Sequence, residues 1–528
     1  MKFASKSQAM AGRIIKWRWY LLSNRESFII IMLYAIYALC YETSIRSIVI
    51  MNKAVVLLIF VPTIIIYCLL GLVGEIFIGT QKLLNFSVWV QWIAMIMSAL
   101  VTALKFSYDF PQWQEILLIT VPSVVQFIGL SAFQVTAVQF GIDQIQGAPS
   151  KHLSAFIYWY FCMELLPKRV FRLVVNLLSN YAHVTELTIH LGGCILCAVL
   201  LSFVLCMKGC SMSSLFLGDP EGEKCCSTSS IRNQSNNHIY NPYFLVYHVI
   251  KFAFKHKHPI QRSALTFWED KLPSRIDLGK NKYGGPFTSE EVENVKTFLQ
   301  LIKVLVSLLG TFIVSFSVDI DTYHRIVLRS SSLVLTEVIY DLVCAGVFFL
   351  LFLLLFLPCC HKCLPGMLKR IWIGTLFTTA SALSMLLIVS IGSEYSNELP
   401  CTVTLNLHLI LIPMILEAGS YIVLIISLFE FLIAQSPQSM KGMLIGLYYT
   451  FRFGLAGLFN LVEYHAFETK YPTHNSILSC ATTHYLEITV IGLLSLFIYT
   501  VVACKYKLRE RDEVINVHIF AEEYYTKS

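Results

Sequence analysis

Several acids and bases of this chain stand where it is otherwise lipid-soluble. An ionisable side chain inside a spanning helix costs about 2.5–3.5 kcal/mol on insertion scales, so each asks for a partner or a wet cavity. Glu42 and Arg46 are four residues apart, acid first, on one helix face where they can pair. Glu337 and Asp341 repeat that spacing with two carboxylates, and their repulsion makes a shared proton available. Glu417 and Glu430 occupy one long apolar run, which ends in the polar turn "AQSPQSMKG" with Lys441 near its end. Such groups bind and release protons or hold the charged ends of a small solute. The plainer reading of Glu42/Arg46 is a pair that neutralises itself at a helix end. For Glu337/Asp341 and Glu417 it is a helix rim facing water. Lys303 and Arg452 read as buried cations for which spacing supplies no partner. The cysteines and histidines lack zinc spacing, and "HKH" at 256–258 reads as a basic surface tag. No enzyme constellation, metal site or cofactor is therefore expected, and nothing points to nucleic acid.

The elements that must position these groups are membrane spans. Of 528 residues, 56% are hydrophobic and 14% charged, against about a quarter charged in soluble domains. The apolar residues fall in runs of spanning length, about 20 residues each. Twelve are read, near 29–50, 54–75, 84–104, 116–140, 153–177, 186–207, 298–318, 332–358, 370–391, 403–433, 440–462 and 484–504. Lys168, Arg169 and Arg172 crowd the fifth. Lys and Arg outside the central stretch fall mostly with the termini, which places both termini in the cytoplasm. The sequons at Asn85 and Asn233 fall on that same side. The expected division is 1–28 N-terminal segment, 29–207 first six-helix bundle, 208–297 connector, 298–504 second six-helix bundle and 505–528 tail. Within the connector, "NPYFLVYHVIKFAFKHKH" is expected to lie along the membrane surface, lysines toward anionic headgroups. Residues 211–241, rich in Ser, Asn and Gly, are expected to be disordered. Two six-helix halves suggest a carrier that binds its solute at the midplane.

Four stretches carry a resemblance. "LFEFLIAQSPQSMKGMLIGL" (428–447) resembles the tenth-helix signature of the proton-dependent oligopeptide transporters, a branch of the major facilitator superfamily. "QFGIDQIQGAPSKHLSAFIYWYF" (139–161) is similar to that family's join between helices four and five. "RSALTFWEDKLPSRIDLGKNKYGGPFTSEEVENVKTF" (262–298) resembles its segment before helix seven, including that of the animal peptide/histidine branch. "LKRIWIGTLF" (368–377) fits the start of helix nine. "GLVGEIFIGTQK" (71–82) resembles a degraded superfamily loop, with Glu75, Gly79 and Lys82 in a conformational role. The resemblance also marks what is missing. The two glutamates and the arginine of the family's first-helix motif fall on Ala35, Ala38 and Leu39. The helix-four lysine position reads Gln134, and the helix-ten glutamate that holds a peptide's amino group reads Tyr421. Glu417, one turn from Tyr421, is a candidate replacement. Glu430 and Lys441 are read as gate or scaffold residues at the inner end of helix ten, and Tyr158, Trp159 and Tyr160 as possible cavity lining.

What this implies is an all-α membrane protein, twelve helices in two six-helix bundles of the major facilitator fold. The implied activity is secondary transport of di- or tripeptides, histidine or a related small zwitterion by alternating access, with protons as coupling ion. The lost charges keep open a second reading, a non-transporting scaffold acting through its cytoplasmic loops and tail. The partners expected are a small peptide or amino acid and the lipid bilayer. The oligomeric state is left open. The tail's "ERDEVI" loosely resembles an acidic dileucine signal, so both plasma membrane and endolysosomal membrane fit.

Overall fold

The computed structural model describes residues 25–49, 64–108, 111–144, 150–181, 185–210, 242–256, 273–318, 346, 365–391, 394–395, 403–404, 407–437, 440–460, 462–463 and 477–508. Apart from one two-stranded hairpin, these residues are helices joined by turns. In the first half they are α1 (Arg25–Val49), α2 (64–72, continued by a π-helical turn Val73–Ile78), α3 (Thr80–Ser107), α4 (Gln112–Gln144), α5 (Ser150–Tyr181) and α6 (Glu186–Cys210). The connector carries α7 (Pro242–Lys255). The second half holds α8 (Ser289–Ser307), α9 (Leu309–Val318), α10 (Met367–Ile391), α11 (Leu407–Ser420), α12 (Ile426–Gln435), α13 (Lys441–Tyr449) and α14 (Ile477–Lys505). Among the described residues, eight helices are long and apolar enough to cross a bilayer, counting α8–α9, α11–α12 and the helix from Lys441 to Asn460 as single rods.

Within the described residues, the expected spans other than the eighth fall on helices whose ends are shifted. Glu337 and Asp341, with nearly all of the eighth span, lie outside the described residues, as does the stretch 211–241. The tenth span begins at Leu407 rather than at 403, because Val403 and Thr404 pair as a strand with Tyr395 and Glu394. Helix eight of the rod series starts at Ser289, inside the expected connector. The Thr288 hydroxyl caps the Glu291 N–H at 3.2 Å and the Glu291 carboxylate takes the Thr288 N–H at 2.8 Å. That reciprocal pair satisfies two backbone donors and starts the helix before its apolar run.

Within the first half, α1 packs on α4, α5 and α6, and α3 on α4 and α6. In the second, α10 packs on α14 and α11, and α9 on α14. The halves meet where α5 touches α12 and α4 touches α13. α2 and α13 also approach closely. A Cβ on Gly446 would lie 2.6 Å from the Tyr67 carbonyl oxygen, and one on Gly71 2.5 Å from that of Gly442. Only glycine lets two backbones approach so closely. Exposed apolar side chains such as Phe203 and Phe497 cover the outside, as a lipid-facing surface requires.

Candidate functional site

Helix α5 is the spine of the site. Ser154, Tyr158, Phe161, Glu164, Lys168 and Arg172 recur three or four residues apart and so share one face. Along that face lie three layers. Lowest, toward the connector, is an inter-half lock. The Ser154 hydroxyl donates to Glu430 Oε1 of α12. Arg370 of α10 reaches Glu430 Oε2 at 3.2 Å and donates to the Tyr158 hydroxyl at 3.3 Å. Glu430 is buried, so its charge is tolerated through these partners. Beside the lock, a small crevice is lined by residues including Gln139, Asp143, Ser436 and Lys441.

The middle layer lies ten residues farther along α5, about 15 Å at the helical rise. Here Glu164, 3% exposed, faces Arg452 of the second half at 3.9 Å and Lys168 of its own helix at 3.3 Å. Arg452 donates to the Tyr448 hydroxyl at 3.0 Å and lies over the rings of Tyr421 at 5.5 Å and Phe453 at 4.8 Å. Rings close the layer. Tyr34 stacks on Tyr160 at 3.9 Å, and Tyr67 on Tyr449 at 5.7 Å. Glu164 Oε2 and the hydroxyls of Tyr34, Tyr160, Tyr421 and Tyr449 are buried without a well-formed hydrogen bond. These groups face one another, Tyr34 toward Glu164, Tyr160 toward Tyr449 and Tyr421 toward Arg452, so the layer is a closely set polar cluster.

The uppermost layer pairs Glu42 with Arg172 at 2.8 Å, both buried. Spacing had suggested Arg46 as the partner, yet Glu42 turns to a cation on a neighbouring helix. The side chain of Arg46 lies outside the described residues. Lys168 sits over the Tyr41 ring at 4.3 Å, linking the middle and upper layers.

The other expected residues divide. Gln134 is buried and accepts from the Tyr67 hydroxyl at 2.6 Å, joining the ring layer. Tyr421 also belongs to it, through Arg452. Glu417 accepts from Ser315 of α9 at 2.9 Å, one turn from Tyr421. Gly79 holds φ +89° at the entry to α3, a backbone that favours glycine, and Lys82 is exposed just beyond it. The side chain of Glu75 is outside the described residues. Lys441 begins α13 beside the crevice. Tyr158 is in the lock, Tyr160 in the ring layer and Trp159 half-buried between. Of the two cations left without partners, Lys303 is exposed rather than buried, whereas Arg452 is the centre of the middle layer. Sequence reasoning missed Glu164, Arg370 and Ser154, and set Lys168 and Arg172 aside as a crowded helix end. The stripe along α5 was the available signal.

No protein-family model matches the sequence. Solved structures share the fold. The chain is similar to an auto-inhibited peptide transporter of the POT family, with a TM-score of 0.60 and 12% identity over 94% of this chain and 99% of that one. It is similar to PepTSo, a POT family transporter, with a TM-score of 0.55 and 13% identity over 96% and 99%. A third, a POT family transporter in complex with 5-aminolevulinic acid, gives 0.55 and 11% over 90% and 96%. The twelve-helix architecture expected from the sequence is thus that of known transporter structures, at an identity that speaks for the fold alone.

Proposed function

We propose that this protein is a member of the POT family that carries a small zwitterion, a short peptide or an amino acid such as histidine, across the membrane by alternating access. The observation that carries this reading is the Glu164–Arg452 pair. The two charges come from opposite halves, are buried, and meet at 3.9 Å among tyrosine hydroxyls. A zwitterion offers each its counter-charge: its carboxylate takes Arg452 and its ammonium takes Glu164. The pair stands where the family's own first-helix and helix-four charges are lost, and it replaces their chemistry from α5 and the rod beginning with α13. The Glu430 lock then serves as the gate on the connector side, and its opening admits solvent to the middle layer. Proton coupling, in this reading, runs through Glu42 and Glu164. Each is held by a cation, and protonation releases that hold.

Purified protein in proteoliposomes, given labelled dipeptide or histidine with an inward proton gradient, tests this. Uptake is expected. A charge-assisted hydrogen bond contributes about 1.5–3 kcal/mol, so Arg452→Gln and Glu164→Gln are each expected to weaken apparent affinity about ten- to a hundredfold. Glu42→Gln is expected to flatten the response to the gradient. Absence of flux across a broad panel of small peptides and amino acids would overturn the carrier reading in favour of the scaffold.

A further inference from the structure

Helix α7 is tied at both ends to the rods beside it. The Tyr243 hydroxyl donates to the carbonyl of Cys68 at 3.2 Å. Cys68 is eleven residues from the turn at Gly79, about 16 Å at the helical rise. At the opposite end of α7, Phe252 meets Phe287 just before α8, with ring centroids 6.1 Å apart. The helix therefore runs from beside Cys68 of α2 to the residues just before α8. Pro242, Leu245, Val249 and Ala253 form the buried stripe.

The opposite face is not that of a soluble helix. Phe244, Tyr247 and Phe254 are 58%, 55% and 79% exposed, and His248, Lys251 and Lys255 are exposed beside them. No acid occurs from 242 to 256. Phe244 and Tyr247 stand toward the Cys68 end and Lys251 and Lys255 toward the Phe287 end, with Phe254 beside Lys255. Lys251 Nζ lies 5.4 Å over the Tyr247 ring, at the join of the two zones. Aromatic rings at the boundary and lysine heads beyond them match the polarity profile of one bilayer leaflet. Among the described residues, the acids Asp277 and Glu293 are engaged with Lys280 and Lys296 instead.

We propose that this face is a docking surface for anionic phospholipid in the leaflet on the connector side. Phe244 and Tyr247 lie among acyl chains, and Lys251 and Lys255 meet the phosphates. The occupied helix would hold the α2–α13 crossing through a short relay. Tyr243 is bonded to Cys68, and the Cys68 thiol lies 3.2 Å from the Thr450 hydroxyl of the other half.

Lipid retention by the detergent-purified full chain, read by native mass spectrometry during titration, tests this without reference to transport. Phosphatidylserine is expected to bind more tightly than phosphatidylcholine, and the preference to fade with added salt. Lys251→Gln/Lys255→Gln is expected to weaken phosphatidylserine about thirtyfold, the factor corresponding to about 1 kcal/mol per lysine at an anionic surface. It should leave phosphatidylcholine unchanged, which also shows that the variant is folded. Lys82→Gln, at an exposed lysine of the 2–3 turn, is expected to keep the wild-type preference. Equal loss in Lys82→Gln would make the effect general surface charge and overturn the proposal. So would a wild type without preference, or a dimer held by this face that the double variant dissociates.

Discussion

At the residue scale, the site is built from charges that are tolerable only in pairs. Removing one member of a buried pair strands the other, at about 3–5 kcal/mol, whereas replacing both with apolar groups is often neutral. Glu42→Leu is therefore expected to lower the melting temperature of the purified protein markedly, and Glu42→Leu/Arg172→Met to restore most of it. A double variant no more stable than the single one would show that the contact at 2.8 Å contributes little. Sequence reading found Glu42, because a carboxylate in an apolar run is conspicuous. It did not see the second cation, because i, i+4 spacing looks only along its own helix. Arg172 is 130 positions away in the chain, and nothing in composition or periodicity joins them. Arg452 was conspicuous in the same way, and its partner Glu164 was hidden behind the three bases that follow.

At the element scale, the crossing of α2 and α13 depends on glycine. Gly446→Ala would thrust a methyl group toward the Tyr67 carbonyl at 2.6 Å, so the connector-side closure is expected to loosen. Faster thiol labelling of Cys68, half-buried at that crossing, would report it; an unchanged rate would mean that the helices yield without separating. The segment before α8 behaves oppositely. Burial would raise the Asp277 carboxyl, but hydrogen bonds from Lys280, Lys296 and Ser274 hold it well below the usual carboxylate range. Burial would lower the Lys280 ammonium, yet Asp277 and Glu293 keep it raised. A depressed acid stabilises the fold above the ordinary carboxylate range and loses that effect only as pH falls through its own low value. A raised lysine does so below the ordinary lysine range and loses it as pH rises past its raised value. Both contributions are complete from mildly acidic to neutral pH. Hydrogen-exchange protection across 277–288 is thus expected to be the same at the two, and to disappear in Asp277→Asn. Helices were the most legible layer of the sequence, since long apolar runs allow little else. Their ends were less so: the Thr288 cap and the 394–395/403–404 hairpin are set by side-chain bonds and strand pairing that hydropathy does not register.

For the whole molecule, the two halves are held on the connector side by the Glu430 lock and by the α2–α13 crossing. If alternating access is correct, Ser154→Cys/Glu430→Cys should form a bridge on mild oxidation that halts flux, and reduction should restore it. Bridging without effect on flux would mean that this contact does not part during the cycle. The overall architecture was legible because twelve runs in two sets leave few alternatives. The midplane was not, because its contents come from helices distant in sequence. Two of those helices share an irregularity that α2 also carries at Val73–Ile78. Tyr421–Ile425 and Thr450–Leu455 are wound as π turns, and Tyr421 and Arg452 sit within them. A π turn stores one surplus residue against the regular spiral. Letting that slack run out would swivel the side chains on one flank by roughly 100° relative to the other, the angular step of a single α residue. The guanidinium and the phenol would then turn toward or away from the middle layer while the rods that carry them stay in place.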